Sequence, residues 1–259
     1  MRKIRTWGLT AMLAAVGVTS CLALDMNGLI AAYPMDDGSG AVAVDVSGNG
    51  HDGVITEGTW VAGVYGEAVQ FSGGQSHMAA EGVLASLPNN AISIGAWFQL
   101  QAHTTYEGII SGSEAGVGAV SGECCQYRIM IDPGFSPFYN AGGHQDVTVS
   151  GANVEEGVWY HYALTIDGTV TLYLDGAVVA ESNAVNDPLP ELGTPLLVGT
   201  GEGPGTWPLT GLVDEVFVYD RALSAAEVNA IMGESLAAST AVDARGKLPL
   251  SWAAMKSAR

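Results

Sequence analysis

Basic residues are scarce in this chain of 259 residues. Lysine and arginine number 9 against 27 aspartate and glutamate residues, which gives a formal net charge of −18. Seven of the nine lie near the two ends, so the body from Asp25 to Glu234 keeps only Arg128 and Arg221. Such a body repels nucleic acid, anionic lipid and acidic polysaccharide unless cations bridge them. Neutral ligands and metal ions are the partners that this charge admits, and solubility alone is the alternative explanation of the acidic surface.

Cysteine is nearly absent. Of three cysteines, Cys21 lies in the N-terminal leader, which leaves only the adjacent pair Cys124 and Cys125. Adjacent cysteines form a strained vicinal disulfide, stay free, or bond to another chain, so no disulfide framework holds this fold. Two neighbouring thiols are also too few for a structural zinc site.

Long apolar runs are absent after the N-terminus. Arg2, Lys3 and Arg5 precede an apolar stretch and small residues, the layout of a secretory signal over residues 1–23. Cleavage after Ala23 predicts a secreted or extracytoplasmic chain, and the alternative is a lipobox that would place a lipid anchor on Cys21. No later segment approaches the length of a transmembrane helix.

Catalytic motifs are also lacking. The chain has no Gly-x-Ser-x-Gly elbow, no Walker loop and no His-Glu-x-x-His run. Retaining glycosidases need two carboxylates about 5 Å apart, whereas Glu155–Glu156 and Asp214–Glu215 are consecutive pairs, expected to face opposite sides of a strand. His144 and Asp146 fit a polar loop. The sequence therefore predicts no enzymatic activity.

Turns and short β-rich runs dominate what is present. Glycine is abundant at 35 residues, and Asp167-Gly168 is a strong hairpin dipeptide that joins two strands. Period-two alternation places Tyr160, Tyr162, Leu164 and Ile166 on one face. The clearest predicted strands are 91–100, 127–131, 158–166 and 170–174, a pattern that indicates an all-β sandwich.

A capping box predicts a helix near the C-terminus. Ser224 and Glu227 have the Ser-x-x-Glu spacing in which each side chain satisfies an N–H group of the first turn. The helix is expected from about Ser224 to Met232, ended by Gly233. Residues 238–259 lose strand periodicity, carry most of the remaining positive charge and are predicted to be a flexible basic tail, with docking on a partner as the alternative.

Several ordered motifs resemble those of laminin-G-like, concanavalin A-like domains of secreted bacterial proteins. They are the Asp45-x-Ser-Gly-Asn-Gly50 turn, the Gly63-to-Phe71 strand, the Trp159-to-Gly176 hairpin and the closing strand and helix from Asp214 to Val228. The resemblance spans roughly residues 27–233 and departs from the family in the longer loop 112–126. It implies a two-sheet antiparallel jelly-roll sandwich over residues 24–237 with one short C-terminal helix. It also implies that the domain binds rather than catalyses.

The Asp45 turn is a candidate calcium loop. Asp45, Ser47 and Asn49 alternate as the first ligands of a calcium loop do, and Gly50 permits the sharp turn. The family resemblance suggests that Asp214 completes one structural Ca²⁺ site. The alternative is that Asp45 and Asn49 only make side-chain turns to backbone N–H groups.

Aromatic residues are the candidate glycan contacts, because an exposed ring can cover the apolar face of a sugar. Trp97 and Trp159 sit in strongly apolar strands and are expected to pack in the core. Trp207 is the first ligand candidate, with Tyr106 and His103 next. A packed loop anchor is the alternative for Trp207, and ordinary solvent exposure for Tyr106 and His103.

The sequence therefore predicts a secreted, non-catalytic module that recognises carbohydrate or a cell-surface partner. A structural or adhesive envelope protein without sugar binding is the second hypothesis, and a cryptic polysaccharide-active enzyme is the third. Fold resemblance alone does not choose among them, because this scaffold hosts all three.

Overall fold

The structure is a computed structural model. It describes residues 25–87, 91–103, 106–113, 126–132, 137–140, 146–148, 153–183, 195–201 and 203–238. The predicted signal, the Cys124–Cys125 pair, His144 and the tail from residue 239 onward lie outside the described residues.

Sixteen strands and a C-terminal helix are the main elements of the described chain. In chain order they are β1 (Leu29–Tyr33), β2 (Val42–Ala43), β3 (Gly53–Thr56), β4 (Thr59–Ala62), β5 (Glu67–Ser72), β6 (His77–Ala80), β7 (Ala91–Leu100), β8 (Glu107–Ser113), β9 (Gln126–Ile131), β10 (Pro137–Asn140), β11 (Asp146–Thr148), β12 (Trp159–Asp167), β13 (Val170–Leu174), β14 (Ala177–Ser182), β15 (Leu196–Val198), β16 (Thr210–Tyr219) and α1 (Ala225–Met232).

The strands form two antiparallel sheets. The first sheet has the order β14-β13-β12-β7-β16-β5-β4, with β1 also paired to β16. The second sheet has the order β11-β10-β9-β8-β15-β6-β3-β2. Neighbours in space are often distant in sequence, as in a jelly roll. The predicted two-sheet antiparallel sandwich is confirmed.

The main hydrophobic core lies between the sheets. Tyr162, Leu164 and Ile166 are buried in it and Tyr160 packs against it, which confirms the predicted face of β12. The other sheet contributes alternating residues such as Ile129 and Ile131. Alternation then assigns the remaining residues of these strands to the two outer faces.

A smaller hydrophobic cluster lies on the outer face of the first sheet, under α1. Val228 and Ile231 of the helix are buried there against Phe217, Tyr219 and the neighbouring strands. The helix therefore covers one part of the outer face, and another part stays open.

The capping box at the start of α1 is confirmed. The Ser224 hydroxyl accepts a hydrogen bond from the Glu227 N–H, and the Glu227 carboxylate accepts one from the Ser224 N–H at 2.7 Å. Glu227 also pairs with Arg221 at 2.7 Å, which lowers its pKa to about 2. Gly233 ends the helix as predicted, but with φ −83°, so its left-handed freedom is not used.

Replacing Ser224 with alanine is expected to lower the free energy of unfolding by about 1 kcal/mol, because the N–H of Glu227 loses its acceptor. Chemical denaturation measures this loss. Ser224→Asp keeps an acceptor and serves as the control, so a variant with aspartate that unfolds as easily as the alanine variant would contradict the capping role.

No helix among the described residues has both the length and the apolar character to cross a membrane.

Candidate functional site

The structure brings two of the three predicted ligand residues together. The rings of Tyr106 and Trp207 have centroids 6.2 Å apart and planes inclined by 57°. Tyr106 is 42% exposed and Trp207 is half-buried. Tyr106 lies just before β8, and Trp207 lies in the loop that joins β15 to β16. The pair forms an angled aromatic surface on the second sheet's side of the molecule.

Several contacts fix the position of Trp207. Its backbone adopts φ +49°, which is uncommon for a residue other than glycine. Its carbonyl oxygen accepts the N–H of Gly108 at 2.9 Å. A Cβ at Gly201 would lie 2.9 Å from Cε3 of Trp207, so glycine is what allows the backbone to pass this close to the indole. A strained backbone held by its surroundings is a feature found at binding sites.

Arg128 supports the indole ring. Its guanidinium carbon lies 5.0 Å from the centroid of the Trp207 ring, within the range of a cation–π interaction. Ile129 and Ile131 point into the core, so alternation places Arg128 on the outer face of the second sheet. The arginine is itself buried, and a partly desolvated cation–π contact holds the ring more firmly than an exposed one.

His103, the third ligand candidate, has a buried side chain that does not join the aromatic pair. Its side chain is 1% exposed, its Nε2 lies 2.6 Å from the carbonyl oxygen of Asp132, and its Nδ1 lies 3.4 Å from Glu107 Oε1. Burial raises the pKa of Glu107 to about 8, the Thr210 N–H lowers it, and nearby Glu156 raises it again. Burial therefore favours the neutral form of the Glu107 carboxyl. With its ring buried, His103 positions the loop rather than presenting a ligand contact.

An open depression with a volume of about 460 Å³ is lined by residues 153–156. Glu156 joins it to the His103 segment, because its Oε1 accepts the His103 N–H at 2.8 Å. Residues from two distant parts of the chain thus meet at this depression.

The Asp45 loop is a network of side-chain turns. The Asp45 carboxylate, in a residue 7% exposed, accepts the N–H groups of Ala32 (3.0 Å), Ser47 (2.9 Å) and His51 (3.0 Å) and the hydroxyl of Ser47 (2.8 Å). Asn49 uses its amide nitrogen, which donates to the carbonyl oxygens at positions 29 and 30. The loop fastens its own backbone to β1.

These contacts do not fit a calcium ion. Four donors fill the roughly four lone-pair sites of the Asp45 carboxylate, and Asn49 turns its nitrogen, which is not a calcium ligand, towards the protein. Asp214 binds elsewhere, through Oδ2, to the N–H groups of Val64 (2.8 Å) and Tyr65 (3.2 Å). No group of three or more His, Cys, Asp or Glu residues in the described ranges is placed to hold a metal ion. The arrangement favours the side-chain-turn alternative.

Asp214 and Glu215 differ from the expectation that consecutive residues face opposite sides. A register shift interrupts the pairing of β16 with β7 after Asp214, and Glu215 has φ +53°. Both residues are buried, at 0% and 2% exposure, and Glu215 Oε2 accepts the Leu236 N–H at 2.7 Å. Burial raises the pKa of Asp214 to about 7 and that of Glu215 to about 8, and nearby Asp36 raises both. The bulge brings both carboxyl groups to the outer face of this sheet, Asp214 against Val64 and Tyr65 and Glu215 against Leu236 after α1.

The apolar strands predict that Trp97 and Trp159 pack in the core, but the structure places neither ring there. The inward positions of their strands are occupied by Phe98 and Tyr162, among others. Both tryptophans lie on the outer face of the first sheet and are half-buried. Strands with apolar residues at most positions give no alternation signal that would separate the two faces.

Sequence reasoning missed Arg128 as the support of the Trp207 ring and Glu107 as the buried neighbour of His103. Arg128 carried a usable signal, since it is one of two cations in the body, and an isolated cation in an acidic domain needs a structural reason. Glu107 carried none, because its burial depends on tertiary packing with β16.

The sequence matches one known family model over most of the sandwich. This family model, Laminin_G_3, is described as the concanavalin A-like lectin/glucanases superfamily. It matches residues 72–229, more than half of the chain. The chain belongs to this superfamily. No curated protein sequence matches it at a significant level.

Solved structures agree with the superfamily fold. Domain 4 of AbnA, an extracellular arabinanase from Geobacillus stearothermophilus solved in complex with arabinotriose, has a TM-score of 0.63 and 21% identity, over 79% of this chain and 98% of that domain. Trypanosoma rangeli sialidase with sialic acid gives 0.62 and 16%, over 79% of this chain but 32% of the sialidase. The binding domain of Paraclostridial Mosquitocidal Protein 1 gives 0.60 and 15%, over 79% of this chain and 52% of that one. At these identities the likeness shows the concanavalin A-like fold.

Proposed function

We propose that this chain is a non-catalytic carbohydrate-binding module that works outside the cytoplasm, and that it binds a neutral oligosaccharide at the Tyr106–Trp207 pair. The observation that carries the proposal is the held aromatic surface. A half-buried indole, fixed from one side by Arg128, stands 6.2 Å from a more exposed phenol ring. Rings held in place lose little entropy on binding, which is how aromatic anchors contribute affinity.

Charge around the pair supports a neutral ligand. Arg128 is buried and its charge faces the indole. The body of the chain from Asp25 to Glu234 has two cations against 26 carboxylates, and the whole chain carries −18. An anionic sugar would approach against this field, whereas neutral hydroxyl groups would not.

The likeness to domain 4 of AbnA supplies the first ligand to test. That domain was solved with arabinotriose, a short neutral sugar of the class proposed here. The fold alone does not transfer the ligand, so arabinotriose is a starting probe beside other neutral oligosaccharides.

The buried state of the unusual acids supports a non-catalytic role. Glu107, Asp214 and Glu215 have the raised pKa that a general acid needs, yet each is at most 3% exposed. A general acid must come within hydrogen-bond reach of the sugar it protonates. These three carboxyl groups instead accept backbone N–H groups inside the protein.

Trp207→Ala is expected to weaken binding of the best neutral oligosaccharide by about tenfold or more, because central aromatic anchors dominate such interfaces. Isothermal titration against arabinotriose and gluco-, xylo-, manno- and galacto-oligosaccharides measures the loss. Tyr106→Ala is expected to weaken it less, and Tyr106→Phe, which keeps the ring, to bind nearly as the native protein.

Thermal unfolding of each variant provides the control for folding. A protein that binds none of these sugars, or a Trp207→Ala variant that binds them as well as the native chain, contradicts the proposed site. In the first case, salt-dependent self-association that disappears on deleting residues 238–259 would favour the adhesive alternative.

A further inference from the structure

A second surface, on the opposite face of the sandwich, has features of a glycan platform. One row of side chains crosses five neighbouring strands of the first sheet on its outer face. Trp159 of β12 is opposite Gln99 of β7, Gln99 is opposite Leu212 of β16, Leu212 is opposite Gln70 of β5, and Gln70 is opposite Thr59 of β4. These five residues are called the outer strip below.

Alternation with the core places the outer strip on the outer face of the first sheet. Phe98, Val213 and Val69, which flank its members in sequence, are all buried between the sheets. Trp159, Gln99 and Gln70 are half-buried and Thr59 is exposed, whereas Leu212 is buried between its neighbours. The side chains therefore form a surface that is open but closely packed.

The outer strip carries no charged side chain, although 26 carboxylates lie between Asp25 and Glu234. Its polar groups are two amides and a hydroxyl, which can both donate and accept hydrogen bonds, and the indole N–H of Trp159, which donates only. Gln70 Nε2 also donates to Gln101 Oε1 at 2.6 Å, which adds a third amide at the border. An uncharged strip in an acidic domain matches an uncharged ligand that is rich in hydroxyl groups.

The indole of Trp97 extends the aromatic part of this surface. It lies on the same face as Trp159 and contacts the His161 ring edge-on, with centroids 5.4 Å apart. Trp97 Nε1 and both nitrogens of His161 are buried without a hydrogen-bond partner among the described residues. These atoms are held by packing, and packing fixes the aromatic floor next to the outer strip.

We propose that the outer strip binds an extended neutral polysaccharide, with Trp159 stacking on a sugar ring and Gln99 and Gln70 bonding to hydroxyl groups. Five strands at about 4.8 Å spacing give a surface about 19 Å long, which suits a chain of several sugars. The Tyr106–Trp207 pair lies on the outside of the second sheet. The module therefore has two glycan contacts on opposite faces, and a long polysaccharide that reaches both, or two chains, gains avidity.

Affinity electrophoresis tests the outer strip with defined probes: soluble arabinan, mixed-linkage β-glucan, arabinoxylan, galactomannan and levan. Retardation in the gel measures the affinity for each polysaccharide. Trp159→Ala is expected to weaken the affinity for the polysaccharide that binds best by about tenfold. Gln99→Glu, which has the same shape but brings a charge, is expected to have a similar effect. Val178→Glu adds the same charge at an exposed position of β14, outside the outer strip, and is expected to migrate through the polysaccharide gel as the native protein does, after correction in a polysaccharide-free gel.

The outcomes separate the two sites. Loss in Trp159→Ala together with residual binding in Trp207→Ala, and no binding in the double variant, supports two contacts. Native-like retardation of both Trp159→Ala and Gln99→Glu overturns the outer strip while leaving the Tyr106–Trp207 proposal intact. Loss in Trp159→Ala with no effect of Trp207→Ala leaves the outer strip standing and removes the first site. Absence of retardation of the native protein by every probe overturns the outer strip.

Discussion

Asp45→Ala is expected to lower the free energy of unfolding by about 3 kcal/mol. The carboxylate accepts three N–H groups and one hydroxyl, and it joins the loop to β1. Removing it leaves the buried Ala32 N–H without an acceptor, and each such group costs about 1–3 kcal/mol. Denaturant unfolding monitored by tryptophan fluorescence measures the change.

Asp37→Ala is the matched control. Asp37 is exposed and accepts one N–H, that of Val44 at 3.0 Å, so Asp37→Ala is expected to lower the free energy of unfolding by no more than about 1 kcal/mol.

The same pair of variants tests whether the Asp45 loop binds calcium. Because the Asp45 carboxylate is filled by protein donors, calcium and chelator are expected to give the same unfolding midpoint in the native protein. A midpoint raised by calcium, with the rise lost in Asp45→Ala, would contradict the side-chain-turn interpretation, since a ligand of the native state stabilises by mass action.

The second large effect is a fall in stability as the pH rises from about 5 to 8. The folded-state pKa values of Asp214, Glu215 and Glu107 are raised by burial to about 7, 8 and 8. Between the unfolded and folded pKa values the folded state holds more protons, so stability decreases with pH by at most about 1.4 kcal/mol per unit for each group.

The titration of His161 changes the unfolding free energy in the opposite direction over part of this pH range. Burial lowers its pKa to about 3, so below about pH 6.5 the unfolded state binds the extra proton and stability rises with pH. One histidine offsets only one of the three carboxyl groups below pH 6.5. Above pH 6.5 the histidine no longer contributes to the slope, and the carboxyl groups alone determine it.

Glu215→Gln is expected to flatten this pH dependence, because the amide keeps an acceptor for the Leu236 N–H and does not ionise. The slope of the unfolding free energy between pH 6.5 and 8 is the quantity to compare. Glu181→Gln removes an exposed carboxylate and is the control. A native protein that is more stable at pH 8 than at pH 5, or a slope unchanged in Glu215→Gln, would show that these carboxyl groups do not titrate as their burial implies.

Local signals predicted much of the fold. The strands at 91–100 and 170–174 have the predicted bounds, and the Asp-Gly hairpin and the Ser224 capping box are present as expected. These features depend on a few consecutive residues, which is why a sequence alone can show them. The family motifs extended the prediction to the two-sheet architecture.

The sites were less predictable, because they depend on tertiary contacts. The apolar strands around Trp97 and Trp159 hid which face each tryptophan takes, and the answer came from the register of β7 with β12. The bulge after Asp214 reversed the expected orientation of its neighbour. Spacing at Asp45 matched a calcium loop, but only the structure shows that backbone donors occupy the carboxylate. The sequence did indicate Tyr106 and Trp207 separately as ligand candidates, but only the structure shows that their rings lie together.

Binding of an uncharged sugar at the Tyr106–Trp207 pair can be measured on a glycan array that is probed with the native protein and Trp207→Ala side by side. The native protein is expected to bind neutral glycans in preference to sialylated, sulfated or uronic ones, and Trp207→Ala is expected to lose most of this signal while it unfolds at a similar temperature. Binding that is confined to acidic glycans, or that is unchanged in Trp207→Ala, would show that no uncharged sugar is recognised at this pair.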